Sequence, residues 1–400
     1  MSKISYLEAI DKIKSLNINT STKKVFLSDG LGKILACDIK ASADSPAYPT
    51  AAMDGYAIRL QNNENTQEFE LIDYSPAGSI VSSEVSKNTC IKTFTGSLMP
   101  KGSDTLVPIE NIELKDNKIS IKQQVPCGFA VMKVGENYAK HEILIPKGTK
   151  IDFAEIGVMA SLNIVFVDVY ESPKVAICAT GSEILDLGEE KQNESQIRSS
   201  NHLTIEALAR KYGCDTLQLG LVKDDKESIL KAFENGLNTS DILVTTGGVS
   251  VGDFDFVKDI VIDKLGATVI FKGVEIKPGQ HVIVAQVGNK FICSLPGFAY
   301  SSTVCFLLFC LPIIFGFRGN YEQLKTIKAV AKSDYKNSTS KTIFTASNLK
   351  YTDTCYEVDT FNKKSGTSAI LTNLLGNSAL AMIEPNTSYK IGDFVNTIVL

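Results

Sequence analysis

Arginine and histidine are scarce in this chain. Arg occurs only at positions 59, 198, 210 and 318, and His only at 141, 202 and 281. Lysine therefore carries nearly all the positive charge, and acids still outnumber bases, for a net charge of −4. Binding to duplex nucleic acid rests on phosphate neutralisation, so this balance argues against a nucleic-acid partner. It also leaves few of the planar forks that grip phosphates bidentately. Three His, and nine Cys with no CxxC pair among them, argue against a zinc finger or a His-rich metal centre. The scattered thiols fit a reduced cytoplasmic protein. No apolar run reaches the roughly 20 residues of a bilayer span. The most apolar stretch, 304–317, contains Pro312 and is expected to be a buried helix, with no membrane involved. The first 16 residues are amphipathic rather than continuously apolar, unlike a signal peptide. Neither GxSxG nor a P-loop occurs, and no Ser/His/Asp triad suggests itself, which argues against serine hydrolases and P-loop NTPases.

What is present is the composition of folded domains, 44% hydrophobic and 22% charged. Four hundred residues exceed one ordinary domain of about 100–200, so several are expected. Helical spacing marks 6–16, and 27–36 reads as a second short helix. From 45 to 139 short β-type runs (90–95, 105–108, 119–121) alternate with Gly, Pro and Asn turns, as in a β-rich module inserted between helical pieces. A helix at 151–162 and a strand at 165–169 follow. From 172 the pattern alternates strand and helix: strands at 175–179, 217–221 and 242–246, helices at 202–212, 226–235 and 254–265. A hairpin about Gly288-Asn289 and a long apolar helix at 299–315 complete this part. Such alternation implies a largely parallel sheet covered on both faces. After Arg318 the strands at 323–332, 342–346, 355–359 and 394–400 suggest a small barrel or sandwich, with a short helix at 369–375.

In an open parallel sheet, ligands sit beyond the carboxyl ends of the strands. Four glycine turns fall there: Thr180-Gly181-Ser182-Glu183, Thr246-Gly247-Gly248-Val249-Ser250, Lys277-Pro278-Gly279 and Leu295-Pro296-Gly297. Their N–H groups suit an anion at a helix start. Carboxylates gather on the same edge: Glu183, Asp224, Asp225, Asp253 and Asp255. Two of them about 4 Å apart repel by about 4 kcal/mol at an effective dielectric of 20. Convergence would therefore call for a cation or a retained proton, and magnesium suits carboxylates shared with phosphate. The competing role is capping, open to Asp224, Asp225 and Asp253 alike. Lys277, before Pro-Gly, is placed to hold its ammonium near the glycine loops against phosphate or another oxyanion. In the inserted module, 51–57 and 93–100 read by themselves as turns.

The strings AAMDGYA, TFTGSLMPKGSDTLVP, GENYAKHEIL, ATGSEI, TTGGVSVGDFDF, VEIKPG and SLPG occur in that order. Together they resemble the molybdopterin molybdenumtransferases, the MoeA family that includes the gephyrin E domain, from about residue 6 to the C-terminus. The resemblance implies a multidomain α/β plus β fold, an elongated four-domain chain. Its parts would be a helical linker domain (1–44 with 140–171), an inserted β-rich domain (45–139), a molybdopterin-binding doubly wound α/β domain (172–320) and a C-terminal β-barrel (321–400).

The same resemblance implies a cytoplasmic transferase that inserts molybdate into adenylated molybdopterin, with magnesium-dependent release of AMP. It also implies a homodimer with a shared site and a molybdopterin adenylyltransferase as pathway partner. Asp54 and Thr95 would come from the second subunit. Glu183, Asp224, Asp255, Lys277 and Pro296 would line the α/β pocket, with Glu183, Asp224 and Asp255 toward the metal. Gly181, Ser182, Gly247, Gly248, Ser250 and Gly297 would cradle the cofactor. The chain departs from the family at Asn137, Gly273, Gln280 and Phe298-Ala299, and lacks the Arg the family commonly carries near 344–347. Gly273, Gln280 and the missing Arg remove donors for a tetrahedral dianion, and Asn137 removes a carboxylate. A tungstate-inserting paralogue and a non-catalytic molybdopterin-binding scaffold are the alternative readings.

Overall fold

A computed structural model describes residues 2–60, 67–248, 260–319, 324–364, 368–376 and 378–400. The chain forms two compact units, one of residues 1–24 with 168–400 and the other of residues 25–167.

The larger unit is built on a six-stranded sheet. Its strands are β1 (Lys174–Thr180), β2 (Asp215–Val222), β3 (Ile242–Thr246), β4 (Thr268–Lys272), β5 (Ile283–Val287) and β6 (Lys290–Leu295). Their order is β2-β1-β3-β6-β5-β4, with the first four parallel and β5 pairing antiparallel with both β6 and β4. Period-two side-chain alternation sends Val175 and Ile177 of β1 to one face, against Ile205 and Ala209 of helix α1 (Asn201–Lys211). Ala176 and Cys178 point to the other face, against Ile229, Phe233 and Leu237 of helix α2 (Lys226–Thr239). Both faces are thus dry, which explains why these strands read as unbroken apolar runs. The hairpin about Gly288-Asn289 is present, with Val287 opposite Lys290.

The apolar helix α3 (Ala299–Phe317) lies inside this core, 94% of its most apolar window buried. Pro312 lacks an N–H, and the widened π-turn Phe306–Cys310 lies just before it. The amphipathic helix Tyr6–Lys14 adds Ala9, Ile10 and Ile13 to the same core. The last 75 or so residues close a five-stranded barrel. Thr342–Tyr351 pairs with Tyr356–Asp359 and with Ser378–Ile383, and Thr326–Ala331 and Phe394–Val399 complete the ring. The strands Thr268–Lys272 and Ser378–Ile383 were not among the sequence expectations.

In the smaller unit, six strands are ordered Thr105–Pro108, Gly55–Ile58, Thr89–Thr93, Glu68–Ser75, Lys118–Ile121, Ile112–Lys115. Gly55 is not simply a turn residue. It lies within a strand, where a Cβ would come within 2.4 Å of the Val107 carbonyl oxygen. The expected helix at 27–36 shrinks to the single 3-10 turn Leu27–Gly30. Gly30 and Gly32 interrupt it, and Leu35 then donates its N–H to Thr149 in an extended arrangement. The helix at 151–162 is present as Phe153–Ser161, held by a capping box between Asp152 and Glu155.

Candidate functional site

Three parallel strands end in hydroxyls with no internal partner. Thr180 closes β1, Thr245 and Thr246 close β3, and Ser294 lies near the end of β6; all four side-chain oxygens are buried without a hydrogen bond. Unpaired buried hydroxyls cost about 1–3 kcal/mol each, so their gathering at one edge marks a place prepared for a ligand. A cleft of about 590 Å³ opens there, and Thr180 and Thr246 line it. The glycine turns form its rim: Gly181, Gly247, Gly248, Pro296 and Gly297 all line it. Gly247 has φ +95°, and a Cβ there would meet the Thr180 carbonyl oxygen at 2.4 Å, so the turn admits no other residue unstrained. The Asn201 side chain donates to the Gly297 carbonyl at 2.7 Å and ties the start of α1 to this rim.

Glu183 and Asp224 enter the same cleft. The choice between Asp224 and Asp225 is resolved by hydrogen bonding. Asp225 is the N-cap of α2, accepting from the Ser228 N–H and hydroxyl at 2.8 Å each, which holds its carboxyl below the usual range. Asp224 has a buried Oδ1 with no partner. Burial, then the charges of Glu183 and Asp225, push its pKa up. An orphaned carboxylate oxygen beside a second carboxylate fits a cation, so the donor set agrees with magnesium. Among the described residues no group of three or more His, Cys, Asp or Glu is arranged to hold a metal. Asp255 and Ser250, like Asp253 and the first half of the expected helix 254–265, lie outside the described residues. Ser182 belongs to the first glycine turn but is not among the residues lining the cleft.

Lys277 is the clear correction. Ile276–Lys277 forms a short strand that pairs in parallel with the barrel strand, Lys277 opposite Ile343. Lys277 is not among the residues lining the glycine cleft and instead lines a second cavity of about 290 Å³, together with Lys336, Lys363 and Lys364. Phe344, Thr345 and Ala346, the segment where an arginine was expected, line that cavity too. Its positive charge is thus supplied by lysines. Lys363 donates to the carbonyls of Asn373 and Leu375, and burial lowers its pKa. Gln280, another departure, accepts from Lys341 at 2.7 Å and Lys3 at 3.2 Å. The neighbouring His281 lines the glycine cleft, its pKa lowered first by burial and then by Lys3, Lys341 and Lys272.

Asp54 and Thr95 belong to the smaller unit and do meet. The Thr95 N–H and hydroxyl both donate to Asp54 Oδ1, at 2.8 and 2.7 Å. These bonds lower the Asp54 pKa. What sequence reasoning missed in the cleft is the wall formed by Arg198, Ser199, Ser200 and His281. Beside this wall lie three residues that the sequence reading did not group. Ser199 Oγ lies 2.7 Å from His202 Nδ1, and His202 Nε2 lies 3.5 Å from Asp186 Oδ1. The only signal was the i, i+3 spacing of Ser199 and His202, which is common at helix starts.

Residues 4–163 match the MoeA N-terminal region (domain I and II), and residues 176–315 match a probable molybdopterin binding domain. The molybdopterin molybdenumtransferase of Staphylococcus epidermidis is 31% identical over 99% of this chain and 95% of its own length. The chain belongs to the molybdopterin molybdenumtransferase family. The family member from Bacillus subtilis is 33% identical over 77% of this chain and 73% of its own. The solved molybdopterin biosynthesis MoeA protein of Pyrococcus horikoshii superposes with a TM-score of 0.84 at 27% identity, covering all of both chains. Membership in the molybdopterin molybdenumtransferases makes the chain a transferase of molybdenum cofactor biosynthesis.

Proposed function

We propose that the glycine cleft receives adenylated molybdopterin, and that the chain passes molybdenum from molybdate to it with release of AMP. The observation that carries this reading is the meeting of the glycine turns with Glu183 and the partnerless Asp224 at one sheet edge. Gly181, Ser182, Gly247, Gly248 and Gly297 bind the nucleotide and phosphates through turn amides, Pro296 packs against the ligand without donating, and Ser250 belongs to the same set of cofactor-binding residues. Glu183 and Asp224, with Asp255, would hold magnesium. When bound, magnesium supplies Lewis-acid polarisation of the phosphoanhydride. Asp224 orients the oxygen that attacks the AMP phosphorus.

The lysine cavity receives the oxyanion, Lys277 with Lys336 and Lys364 supplying charge for a tetrahedral dianion. Asp54, fixed by Thr95, completes the cleft from a second copy of the chain in a homodimer. The four-domain division, with linker segments 1–44 and 140–171, belongs to the same reading. So does a cytoplasmic setting in which a molybdopterin adenylyltransferase supplies the substrate.

The test supplies purified protein with adenylated molybdopterin, magnesium and either molybdate or tungstate, and follows AMP and metal incorporation. AMP release coupled to molybdenum incorporation is the expected result. Faster turnover with tungstate would assign the metal differently. Binding without AMP release under any oxyanion would make the chain a scaffold and overturn the proposal. The clustered acids, for which pure binding has no use, favour the enzyme.

A further inference from the structure

We propose that Ser199, His202 and Asp186 form a proton relay in the wall of the cleft, with Ser199 as the group facing the attacking oxygen. The inference rests on the reading of the cleft given above. Three separate pieces of chain bring the residues together. Ile184–Leu185 and Ile197–Arg198 pair in parallel, so that Asp186 and Ser199 follow adjacent strand ends. The Ser199 N–H donates to the Leu185 carbonyl at 2.9 Å, and His202 comes from the first turn of α1.

The proton positions follow from donor and acceptor rules. The relay uses the neutral His202 tautomer with its hydrogen on Nε2, which lies 3.5 Å from Asp186 Oδ1, and with Nδ1 free to accept. In that tautomer the Ser199 hydroxyl donates to Nδ1 at 2.7 Å, and Ser199 is one of the residues lining the cleft. Thr180 and Thr246, the other buried hydroxyls there, have no partner to which a proton could pass. Ser199 and His202 are 6% and 4% exposed, so the imidazole is screened from bulk water. The Asp186 side chain is 47% exposed and stabilises the imidazolium from outside. This is the order of an activated hydroxyl: oxygen, base, orienting carboxylate.

In the step, a water oxygen bonds to the AMP phosphorus and one of its protons moves to Ser199 Oγ. The Ser199 proton moves to His202 Nδ1. The bond from phosphorus to the bridging oxygen breaks, its electron pair staying on the departing phosphate. The imidazolium then returns the proton through Ser199 to that phosphate, restoring the neutral ring. His202 acts through Ser199, and Asp186 is a positioning residue.

The test uses the full chain with adenylated molybdopterin, magnesium and molybdate. His202→Asn keeps an amide oxygen to accept the Ser199 hydrogen bond but cannot hold the proton. His202→Asn and Ser199→Ala are expected to lower kcat for AMP release by about 100-fold or more, with KM nearly unchanged and the solvent deuterium isotope effect altered. Asp186→Asn, on a half-exposed side chain, is expected to lower kcat less and leave the fold intact; it decides the matter if a His202 variant does not fold. Wild-type kcat in His202→Asn or Asp186→Asn would reduce the line to a structural hydrogen bond. An adenylyl group trapped on Ser199, seen by intact mass, would overturn the relay in favour of covalent attack. Wild-type protein that releases no AMP would instead overturn the reading of the cleft itself.

Discussion

Asp224 and Asp225 are adjacent in sequence and opposed in circumstance. Asp225 spends its oxygens on the Ser228 N–H and hydroxyl, while Asp224 presents a buried oxygen with no partner to the cleft. One carboxylate stabilises the fold and the other is held at the fold's expense, as functional groups commonly are.

Asp224→Asn should therefore stabilise the ligand-free protein near neutral pH while abolishing AMP release. The folded-state pKa of Asp224 is raised, so the folded chain binds the proton more tightly than the unfolded one. Stability falls as pH rises through that window, and the variant escapes this loss. Its thermal advantage should shrink on acidification, once the wild-type carboxyl is protonated. Unfolding curves across pH check this; an unchanged or lower midpoint at neutral pH would refute it. Asp225→Ala should do the reverse and lower the midpoint at neutral pH.

His281 gives the opposite sign. Its pKa is lowered from 6.5 by burial and by Lys3, Lys341 and Lys272. Below about the ordinary histidine value the unfolded chain takes up the proton more readily, so stability declines as pH falls toward the folded-state pKa. His281→Gln should flatten this part of the acid-unfolding profile. A profile identical to wild type would contradict it.

The lysine cavity and the glycine cleft should separate in kinetics. Lys277→Ala removes a charged donor of the kind worth about 1.5–3 kcal/mol. The concentration of molybdate needed for half-maximal rate should rise by about tenfold or more, while binding of adenylated molybdopterin stays at the wild-type level. Weakened nucleotide binding with unchanged molybdate dependence would return Lys277 to the cleft.

A shared site predicts complementation. Chains bearing Asp54→Asn and chains bearing Glu183→Gln should each be inactive alone. Mixed by co-expression, half the dimers are hybrids with one intact site of two, so about a quarter of wild-type activity should return. No recovery in verified hybrids would place both residues in a site within one chain.

Thr95→Val leaves the backbone N–H bond to Asp54 and removes the hydroxyl bond. The lowered Asp54 pKa should move part of the way back toward its ordinary value, as read from carboxyl-carbon NMR titration. A titration that does not move would show that the backbone bond alone sets the carboxylate.

Period and punctuation determined much of this molecule from sequence. The strand–helix alternation after residue 172, the glycine turns at the strand ends and the buried apolar helix follow from local rules, because each element is specified by neighbours within a few residues. Gly55 shows the limit: an Asp-Gly step reads as a turn, yet the glycine is required by the backbone of Thr105–Pro108 pressed against it. Tertiary structure alone decided which of two adjacent aspartates is free, because capping uses up one and the fold buries the other. It alone moved Lys277 to the barrel side, since pairing across 65 residues sets the register of Ile276–Lys277. It alone brought Asp186 to the Ser199–His202 pair. Side chains meet by the path of the backbone in space, and spacing along the chain carries no record of the loop that closes the distance.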